Sequence, residues 1–331
     1  MTPKITTREF WIKEPGLGAL VEGRLAELTE DSVSVRTLFS GISRGTESLV
    51  FRGAVPESQW EAMRCPYQDG SFPAPVKYGY MSVGRVVDGS GAGADLEGEV
   101  VFCLYPHQDR YVVPASAVVR LPEGVPPERA ILAANMETAV NGVWDARPGV
   151  GDRVVVVGGG VVGMLTAWLI GSIPGVDLTL VDTNDARADV AGALRLPFSA
   201  RVPADAEADV VIHASGNPEG LAASLGAAAT EARIVELSWF GDREVALPLG
   251  EAFHARRLTI RSSQVGRIPP DRTARWSYRR RLGLALRLLA DDALDALITG
   301  ESPFEELPSV MERLARDGGD TLCHRIRYST A

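Results

Sequence analysis

A glycine-rich turn between two apolar runs constrains this chain more than any other feature. Arg153–Val157 is a continuous β-branched run, which is typical of a strand buried on both faces of a parallel sheet. Gly158, Gly160 and Gly163 follow at the spacing G-x-G-x-x-G, and the apolar residues after them predict a helix packed on that sheet. A second apolar run then ends at Asp182. This order of strand, turn, helix, strand and acid predicts a dinucleotide-binding unit.

Each position in this turn has a separate physical task. Gly158 permits the tight turn, Gly160 lets the backbone approach a pyrophosphate, and Gly163 allows the helix to pack closely on the strand. Val161 and Val162 open the helix, whose N-terminus faces the phosphate charge. We therefore predict cofactor contacts at all five positions. The alternative is a glycine-rich turn in an α/β protein that binds no nucleotide.

Asp182 indicates which nicotinamide dinucleotide is bound. Its carboxylate is expected to accept hydrogen bonds from the adenosine ribose hydroxyls and to repel a 2′-phosphate. The sequence therefore favours NAD(H) over NADP(H). Arg187 follows soon after and is a signal in the opposite direction, because an arginine can pair with that phosphate.

Composition and charge limit the class of protein and its partners. The chain has 331 residues, enough for two domains, and its 34 Lys and Arg against 43 Asp and Glu give a net charge of −9. That charge repels phosphates, so we expect neither nucleic acid nor a membrane as a partner. Without a signal-peptide or membrane-spanning pattern, the expected location is cytoplasmic. Three scattered cysteines provide neither a zinc lobe nor a disulfide framework.

The pattern of the chain changes along its length. Short β-type runs separated by Gly, Pro and Asp precede residue 127 and predict a β-rich domain. Strands alternating with helices follow and indicate a doubly wound parallel sheet. We therefore predict an α/β protein in which a dinucleotide-binding domain, residues 128–266, is inserted into a β-rich substrate domain, residues 1–127 plus 267–331.

Six segments form an ordered set along nearly the whole chain. They are GISRGTE (41–47), PVKYGYMSVGRVV (75–87), METAV (136–140), VGGGVVG (157–163), HASGNPEGL (213–221) and RIVELSWFG (233–241). Their order and spacing resemble the medium-chain dehydrogenase/reductase superfamily, the alcohol dehydrogenase-like enzymes with and without zinc. The first segment also resembles a subgroup that includes bacteriochlorophyllide dehydrogenases. The resemblance implies a Rossmann NAD(P)-binding domain inserted into a GroES-like catalytic domain, hydride transfer to or from a small-molecule substrate, and a homodimer.

The resemblance also identifies where this chain departs from the zinc enzymes. Their catalytic metal is held by a Cys, a His and a later Cys or Glu, and the matching positions here are Ser43, Tyr80 and Glu137. A catalytic zinc site needs three Cys, His or carboxylate ligands, and this set has one. We therefore expect no zinc, and a positioned O–H or N–H donor in place of the metal at the substrate oxygen.

Four residues are candidates for this chemistry, and each has a structural alternative. Tyr80 carries a proton at a former metal position, but it fits a core tyrosine equally well. Ser43 can bond a substrate oxygen or fill a tight turn, and Glu137 can act as a base or pair with a nearby Arg. His107 lies in a segment that the family fold places near the substrate, although a lone His is more often structural.

The resemblance adds cofactor contacts outside the glycine turn. Arg44 follows the first former metal position, where relatives contact the pyrophosphate, and its alternative is a salt bridge to Glu47. Ser238 and Trp239 align with the segment that touches the nicotinamide ring in relatives. Ser215 follows His213 at a predicted strand end, where we expect a cofactor-side or a structural role, and we predict a cofactor contact for Ser215.

An arginine-rich segment admits a further interpretation. Residues 256 to 287 contain ten arginines, and arginines among aromatic residues can mark a nucleic-acid surface. The net negative charge of the whole chain and the amphipathic pattern of this segment instead favour a helix face exposed to solvent. An anionic substrate, met by Arg267 or Arg275, is the second functional alternative.

Three functions therefore compete. The leading prediction is a zinc-independent oxidoreductase that transfers hydride between NAD(H) and a hydroxyl or carbonyl group of a specialised small metabolite. The first alternative is a quinone- or enoyl-type reductase of C=C bonds from the same superfamily. The second is a catalytically silent nucleotide-binding redox sensor, which the loss of the metal ligands leaves open.

Overall fold

The computed structural model describes residues 5–203 and 205–329. Within them the strands are β1 (Thr6–Glu14), β2 (Leu17–Arg24), β3 (Ser32–Ile42), β4 (Asp69–Gly70), β5 (Val76–Lys77), β6 (Ser82–Gly89), β7 (Val100–Cys103), β8 (Arg110–Pro114), β9 (Val118–Arg120), β10 (Arg153–Val157), β11 (Asp177–Val181), β12 (Phe198–Ser199), β13 (Ala208–His213), β14 (Ala228–Glu236), β15 (Thr259–Ser262), β16 (Ile298–Pro303) and β17 (Cys323–Arg327). The α-helices are α1 (Arg44–Phe51), α2 (Pro127–Ala130), α3 (Ala133–Ala146), α4 (Val161–Gly171), α5 (Arg187–Ala193), α6 (Pro218–Ala227), α7 (Tyr278–Leu288) and α8 (Leu307–Arg316).

The chain forms two compact units. The first comprises the described residues of Met1–Ala134, Leu286–Ala290 and Ile298–Ala331, and the second comprises those of Asn135–Ala285 and Asp291–Leu297. Along the chain, the second unit therefore interrupts the first. The domain boundaries inferred from the sequence stay predictions.

The second unit contains a six-stranded parallel sheet. Its strand order is β12-β11-β10-β13-β14-β15, and each neighbouring pair runs parallel. Counted from β10 as the first strand, this is the 3-2-1-4-5-6 order of the Rossmann arrangement. The first unit is β-rich, as described below. The predicted α/β fold class, with a doubly wound parallel sheet and a β-rich domain, is therefore confirmed.

The sheet of the second unit changes winding direction between β10 and β13. The last residue of β10, Val157, pairs with Val181 of β11 on one side and with His213 of β13 on the other. Ligands of open α/β sheets bind outside the carboxyl ends of the strands at such a point. The glycine turn, Asp182 and the residues after His213 consequently meet at one edge of the sheet.

Burial explains why these strands form. Val156 of β10, Leu180 of β11 and Ile234 of β14 are each 0% exposed, and α4 adds the fully buried Met164 and Leu165. Burying an apolar side chain of this size contributes about 1.5–3 kcal/mol. This core keeps the ends of the strands, where the polar residues lie, in one place.

The first unit is built from two antiparallel-rich sheets. One has the order β16-β17-β3-β6-β7-β9 with β8 also paired to β3, and the other has the order β2-β1-β5-β4. β3 is central because it pairs with β17, β6 and β8. It ends at Ile42, and α1 begins two residues later at Arg44. The β3–α1 turn therefore carries Ser43 on a buried scaffold.

The sequence pattern predicts a helix over residues 57–64 and an amphipathic helix over residues 303–315, and the structure differs at both. Residues 57–64 form only a 3₁₀ turn at Glu57–Gln59, because the segment lies between Pro56 and Pro66 and is too short to sustain an α-helix. Residues 303–315 divide into a 3₁₀ turn and α8, since Pro308 favours the first turn of a new helix. No helix within residues 5–203 and 205–329 combines the length and apolarity needed to cross a membrane.

Candidate functional site

The turn after β10 depends on backbone contacts that only glycine permits. Gly158 has φ of +115°, and a Cβ on it would lie 2.5 Å from the backbone nitrogen of Ser215. A Cβ on Gly163 would lie 1.8 Å from the carbonyl oxygen of Gly158. Because both positions are glycine, the backbone can approach closely enough for α4 to start directly against the end of β10.

Gly160 differs from the other two glycines because the space beside it is open. A Cβ built on Gly160 meets no atom within 4 Å, and Gly160 is the N-cap of α4. Val161 and Val162 form the first turn, where the backbone N–H groups of a helix lack intrahelical partners. Open space in front of such N–H groups fits a pyrophosphate. The residues present are therefore suited to a dinucleotide.

Asp182 is tied to the glycine turn by its side chain. Its Oδ2 accepts a hydrogen bond from the backbone N–H of Gly159 at 2.6 Å, and its Oδ1 accepts one from the N–H of Asn184 at 2.8 Å. A carboxylate has about four lone-pair sites, so ribose hydroxyls can still donate to it. Arg187, which on the sequence alone could pair with the 2′-phosphate of NADP(H), is only 4% exposed.

A hydrogen-bonded network joins the ends of β13 and β14. The buried His213 contacts Glu236 through Nδ1 at 2.7 Å and the Ser215 hydroxyl through Nε2 at 2.6 Å. Ser238 donates its backbone N–H to Glu236 Oε1 at 2.6 Å, and its hydroxyl accepts the N–H of Gly216 at 3.0 Å. The network holds the loop after β13 that packs against the glycine turn. Cofactor contacts of Ser215 and Ser238 stay predictions.

Trp239 and Arg44 are the remaining predicted cofactor contacts. Trp239 is half-buried and follows Ser238 in the chain. Arg44 begins α1 in the first unit, and its Nη1 donates to the carbonyl oxygen of Gly319 at 3.2 Å. Its predicted pyrophosphate contact stays a prediction.

In the first unit, Ser43 lies directly before α1. Its backbone N–H donates to Glu47 Oε1 at 2.8 Å, so the Glu47 carboxylate accepts from the start of its own helix. Such an acceptor is favourable at a helix N-terminus, where N–H groups lack partners. Ser43 is thereby held at the junction of β3 and α1.

His107 lies at the centre of a buried chain of polar side chains. Its Nε2 lies 2.9 Å from Glu47 Oε2, and its Nδ1 lies 2.7 Å from the Ser40 hydroxyl. The Ser40 hydroxyl in turn lies 3.0 Å from the hydroxyl of Tyr328. His107 is 1% exposed and Glu47 is 2% exposed. Both ring nitrogens are thus occupied by protein groups, and we call these four residues the Glu47–His107 chain.

Tyr80 lies beside this chain and is held in its protonated form. Burial raises the pKa of its phenol well above the ordinary value, and the negative charge of Glu47 raises it further. Hydrogen bonds to Ser43 and Thr46 act in the opposite direction but are outweighed. Tyr80 is therefore a neutral hydroxyl that can donate a hydrogen bond at physiological pH.

Glu137 lies in the second unit and pairs with an arginine. Arg281 Nε lies 3.0 Å from Glu137 Oε1, and the same guanidinium donates to Asn141 and to the carbonyl oxygen of Val265. Glu137 is 5% exposed and Arg281 is 2% exposed. Burial raises the pKa of Glu137 more than Arg281 lowers it. Of the two alternatives from the sequence, the structure contains the ion pair, and the role as a base stays a prediction.

The structure thus brings some of the predicted catalytic residues together. Ser43, Tyr80 and His107 surround Glu47 in the first unit, whereas Glu137 belongs to the second. Among the described residues, no group of three or more His, Cys, Asp or Glu is arranged to hold a metal ion.

Sequence reasoning missed the partners that organise the site. Glu47 was named only as a possible salt-bridge partner, although its position four residues after Ser43 on a helix could have identified it. Ser40 and Tyr328 carry no local signal, because their partners come from distant segments, and the His213 that contacts Glu236 lies 23 residues before it.

Comparisons with known proteins bear on the fold. No protein-family model matches the chain. It is 26% identical over 318 residues to D-guloside 3-dehydrogenase of Escherichia coli K12, which covers 86% of this chain and 90% of that protein. A candidate zinc-binding dehydrogenase from Sinorhizobium meliloti 1021, bound to NADP, is 17% identical with a TM-score of 0.78 and covers 98% of this chain and 100% of its own. A short chain alcohol dehydrogenase from Escherichia coli CFT073, complexed with NADH, is 18% identical with a TM-score of 0.75. The match covers 97% of this chain and 99% of that dehydrogenase. The chain has the fold of these dehydrogenases over nearly its whole length.

Two glycine substitutions separate nucleotide contact from folding. Gly160→Ala places a methyl group in open space at an ordinary φ of −75°, so we expect unchanged stability but nucleotide affinity reduced about tenfold or more. Gly163→Ala forces its Cβ against Gly158, so we expect about 1–3 kcal/mol lower stability as well as weaker binding. Urea unfolding and NADH fluorescence titration measure the two effects. Gly192→Ala in α5, also free of contacts within 4 Å, is the control, and wild-type affinity in Gly160→Ala would contradict the assignment.

Substitution of the buried ion pair distinguishes the two roles of Glu137. Arg281→Met leaves a buried carboxylate unpaired, so we expect a loss of about 3–5 kcal/mol in the free energy of unfolding. Glu137→Leu should restore part of it in the double variant, in which Asn141 and the carbonyl oxygen of Val265 still lack the guanidinium. The pKa of Glu137 is raised in the folded state, so protonation relieves the unpaired charge and the loss should be smaller at acidic than at neutral pH. Urea unfolding at several pH values measures both effects. An active double variant would exclude an essential base, whereas a folded but inactive one would support it.

Proposed function

We propose that this protein is a zinc-independent oxidoreductase that transfers hydride between NAD(H) and a hydroxyl or carbonyl group of a small metabolite. The observation that carries the proposal is the open N-terminus of α4 at Gly160, beside Asp182, at the winding change of a Rossmann-ordered sheet. This arrangement suits a dinucleotide. Similarity to dehydrogenases bound to NADP and to NADH supports a nicotinamide cofactor.

The preference for NAD(H) follows from charge beside the adenosine position. Asp182 presents a carboxylate fixed by Gly159 and Asn184, and a 2′-phosphate near it would be repelled. Arg187 is buried in α5 and is therefore poorly placed to compensate that repulsion at the surface. Both features support NAD(H) as the preferred cofactor.

Zinc independence follows from the chemistry of the available donors. Ser43 and Tyr80 are neutral hydroxyls, and the raised pKa of Tyr80 disfavours the tyrosinate that a metal would need. The Glu137 carboxylate accepts from the Arg281 guanidinium, whose positive charge opposes a cation at the same carboxylate. These three residues do not fit a zinc site, so the proposed reaction has no step on a metal.

Tyr80 is the proposed proton donor. A nicotinamide cofactor, when bound, supplies or accepts the hydride at the substrate carbon. The Tyr80 hydroxyl donates its proton to the substrate oxygen during carbonyl reduction, and it takes a proton back from solvent afterwards. Ser43 hydrogen-bonds Tyr80 and orients its hydroxyl. A positioned donor of this kind replaces the Lewis acid of zinc enzymes.

Similarity to D-guloside 3-dehydrogenase supports a substrate class. That name gives position 3 of a D-guloside as the site of reaction, and position 3 carries a secondary hydroxyl. We propose that this chain likewise acts on a secondary hydroxyl, or the matching ketone, of a glycoside or polyol.

An assay of hydride transfer tests the function and Tyr80 together. We expect NAD-linked oxidation of glycosides or polyols, followed by NADH absorbance, and a fall in kcat of about 10²–10⁴ in Tyr80→Phe with unchanged nucleotide affinity. Tyr278→Phe is the control and should keep full activity, because it removes the hydroxyl of an exposed side chain that donates to the carbonyl oxygen of Gly266. Nucleotide binding without turnover of any hydroxyl, carbonyl or enone substrate would contradict the proposal, and activity on enones alone would favour the C=C reductase.

Asp182→Asn tests the cofactor preference. The amide oxygen can still accept from Gly159, but the negative charge is lost, so we expect the NADP-to-NAD ratio of kcat/KM to rise about tenfold or more. Asp177→Asn, at the exposed amino end of the same strand β11, should leave that ratio unchanged. An unchanged ratio in Asp182→Asn would show that this carboxylate does not select the cofactor.

A further inference from the structure

Glu47 is a buried carboxylate that the proposed reaction does not itself use. It is 2% exposed, and Nε2 of the His107 imidazole lies 2.9 Å from its Oε2. Burial is the main cause of a raised pKa in the titratable groups around it, and the negative charge of Glu47 raises their pKa further; these groups are Tyr80, Tyr78, Cys65, Cys323 and Tyr328. A buried anion of this kind is costly unless hydrogen bonds satisfy it, so its retention calls for an explanation.

The hydrogen-bond directions in the Glu47–His107 chain follow from the carboxylate. An ionised carboxylate only accepts, so Nε2 of His107 carries the proton that points at Glu47. In the tautomer with that proton, Nδ1 is an acceptor for the Ser40 hydroxyl at 2.7 Å, and the Ser40 oxygen can accept from the Tyr328 hydroxyl at 3.0 Å. Two N–H groups therefore donate to Glu47: the backbone N–H of Ser43 and Nε2–H of His107. Ser40 and Tyr328 hold the His107 ring in place on its other side.

The same histidine also contacts the segment that carries Tyr80. Gly79 has φ of +134°, and a Cβ on it would lie 3.0 Å from Cδ2 of His107. The backbone just before Tyr80 therefore packs against the ring that holds Glu47. Tyr80 is also hydrogen-bonded to Ser43, directly before α1, and to Thr46 in the first turn of α1, the helix that carries Glu47. Tyr80 and Glu47 are thus held by the same two structural elements.

We propose that Glu47, held in place by His107, is a positioning residue that keeps the Tyr80 phenol in its protonated, donating form. This inference rests on the proposed function, in which Tyr80 donates the proton. During carbonyl reduction, the O–H bond of Tyr80 breaks as an O–H bond forms on the substrate, while hydride adds to the carbon. The fixed negative charge of Glu47 opposes the tyrosinate left behind, so it favours rapid reprotonation from solvent and a donor that persists at alkaline pH.

A direct titration of position 80 tests the inference without any substrate. Difluorotyrosine placed at position 80 ionises at lower pH than tyrosine, and its absorbance against the Tyr80→Phe protein reports that one group. In Glu47→Gln we expect ionisation at least about one pH unit lower than with the native glutamate, because the nearby charge is removed. Glu47→Asp retains the charge and should restore most of the native value. No shift in Glu47→Gln would overturn the proposal.

Two further variants locate the effect. Glu27→Gln changes an exposed carboxylate of the same unit, with a side chain 83% exposed, and should leave the titration unmoved. His107→Leu removes the N–H donor that holds Glu47, so we expect a shift in the same direction as Glu47→Gln but smaller. A shift in Glu47→Gln with none in His107→Leu would overturn the positioning role of His107. If His107→Leu does not fold, the comparison of Glu47→Gln with Glu47→Asp still decides the role of the charge.

The pH dependence of carbonyl reduction provides an independent readout. Native activity should persist to alkaline pH, whereas the Glu47→Gln protein should lose activity at a lower pH. The difference between the two pH values should equal the shift that the titration of position 80 shows. A titration that shifts while Tyr80→Phe remains fully active would refute the proposed proton donor but leave the electrostatic effect of Glu47 intact. A titration that does not shift, with Tyr80→Phe inactive, would refute only the positioning role.

Discussion

The close approach of α4 to the end of β10 is the contact on which the second unit depends. Gly163 lies so near the carbonyl oxygen of Gly158 that no side chain fits, and this contact aims the first turn of the helix along the edge of the sheet. The N–H of Gly159 is then available to the carboxylate of Asp182. One backbone approach therefore positions both the phosphate-facing helix terminus and the acid beside it.

Buried charges in the two units are satisfied in different ways. In the second unit, Glu137 is paired with the guanidinium of Arg281, a permanent cation. In the first, Glu47 is paired with His107, whose charge is not permanent. The negative charge of Glu47 adds to the effect of burial in raising the pKa of the neighbouring Tyr80, Tyr78 and Cys65.

The sequence was most informative where local spacing determines the structure. The glycine spacing after a β-branched run predicted the turn, the α4 helix and the position of Asp182, because each depends on neighbours in the chain. The alternation of strands and helices predicted the parallel sheet, and the short β-type runs predicted the β-rich unit. Residue types at the former metal positions drew attention to Tyr80, which lies next to the Glu47–His107 chain.

Contacts between distant segments were beyond sequence reasoning. The two roles of Glu137 are equally weighted on the sequence alone, because Arg281 lies on another helix, 144 residues away. His107 was considered as a residue facing the substrate, yet Ser40 and Glu47 occupy both of its nitrogens. Those partners come from β3 and α1, and nothing in their spacing to residue 107 indicates a contact.

The interruption of the first unit along the chain has a consequence for biosynthesis. β3 pairs with β17, and Ser40 bonds Tyr328, so the first unit is incomplete until the last strand leaves the ribosome. The residues of the second unit emerge earlier, in one nearly continuous stretch, and its parallel sheet can form during translation. Until β17 arrives, β3 is paired with β8 only over Ser32–Arg36 on that edge, so its Phe39–Ile42 part stays unpaired and exposed to aggregation and to chaperones.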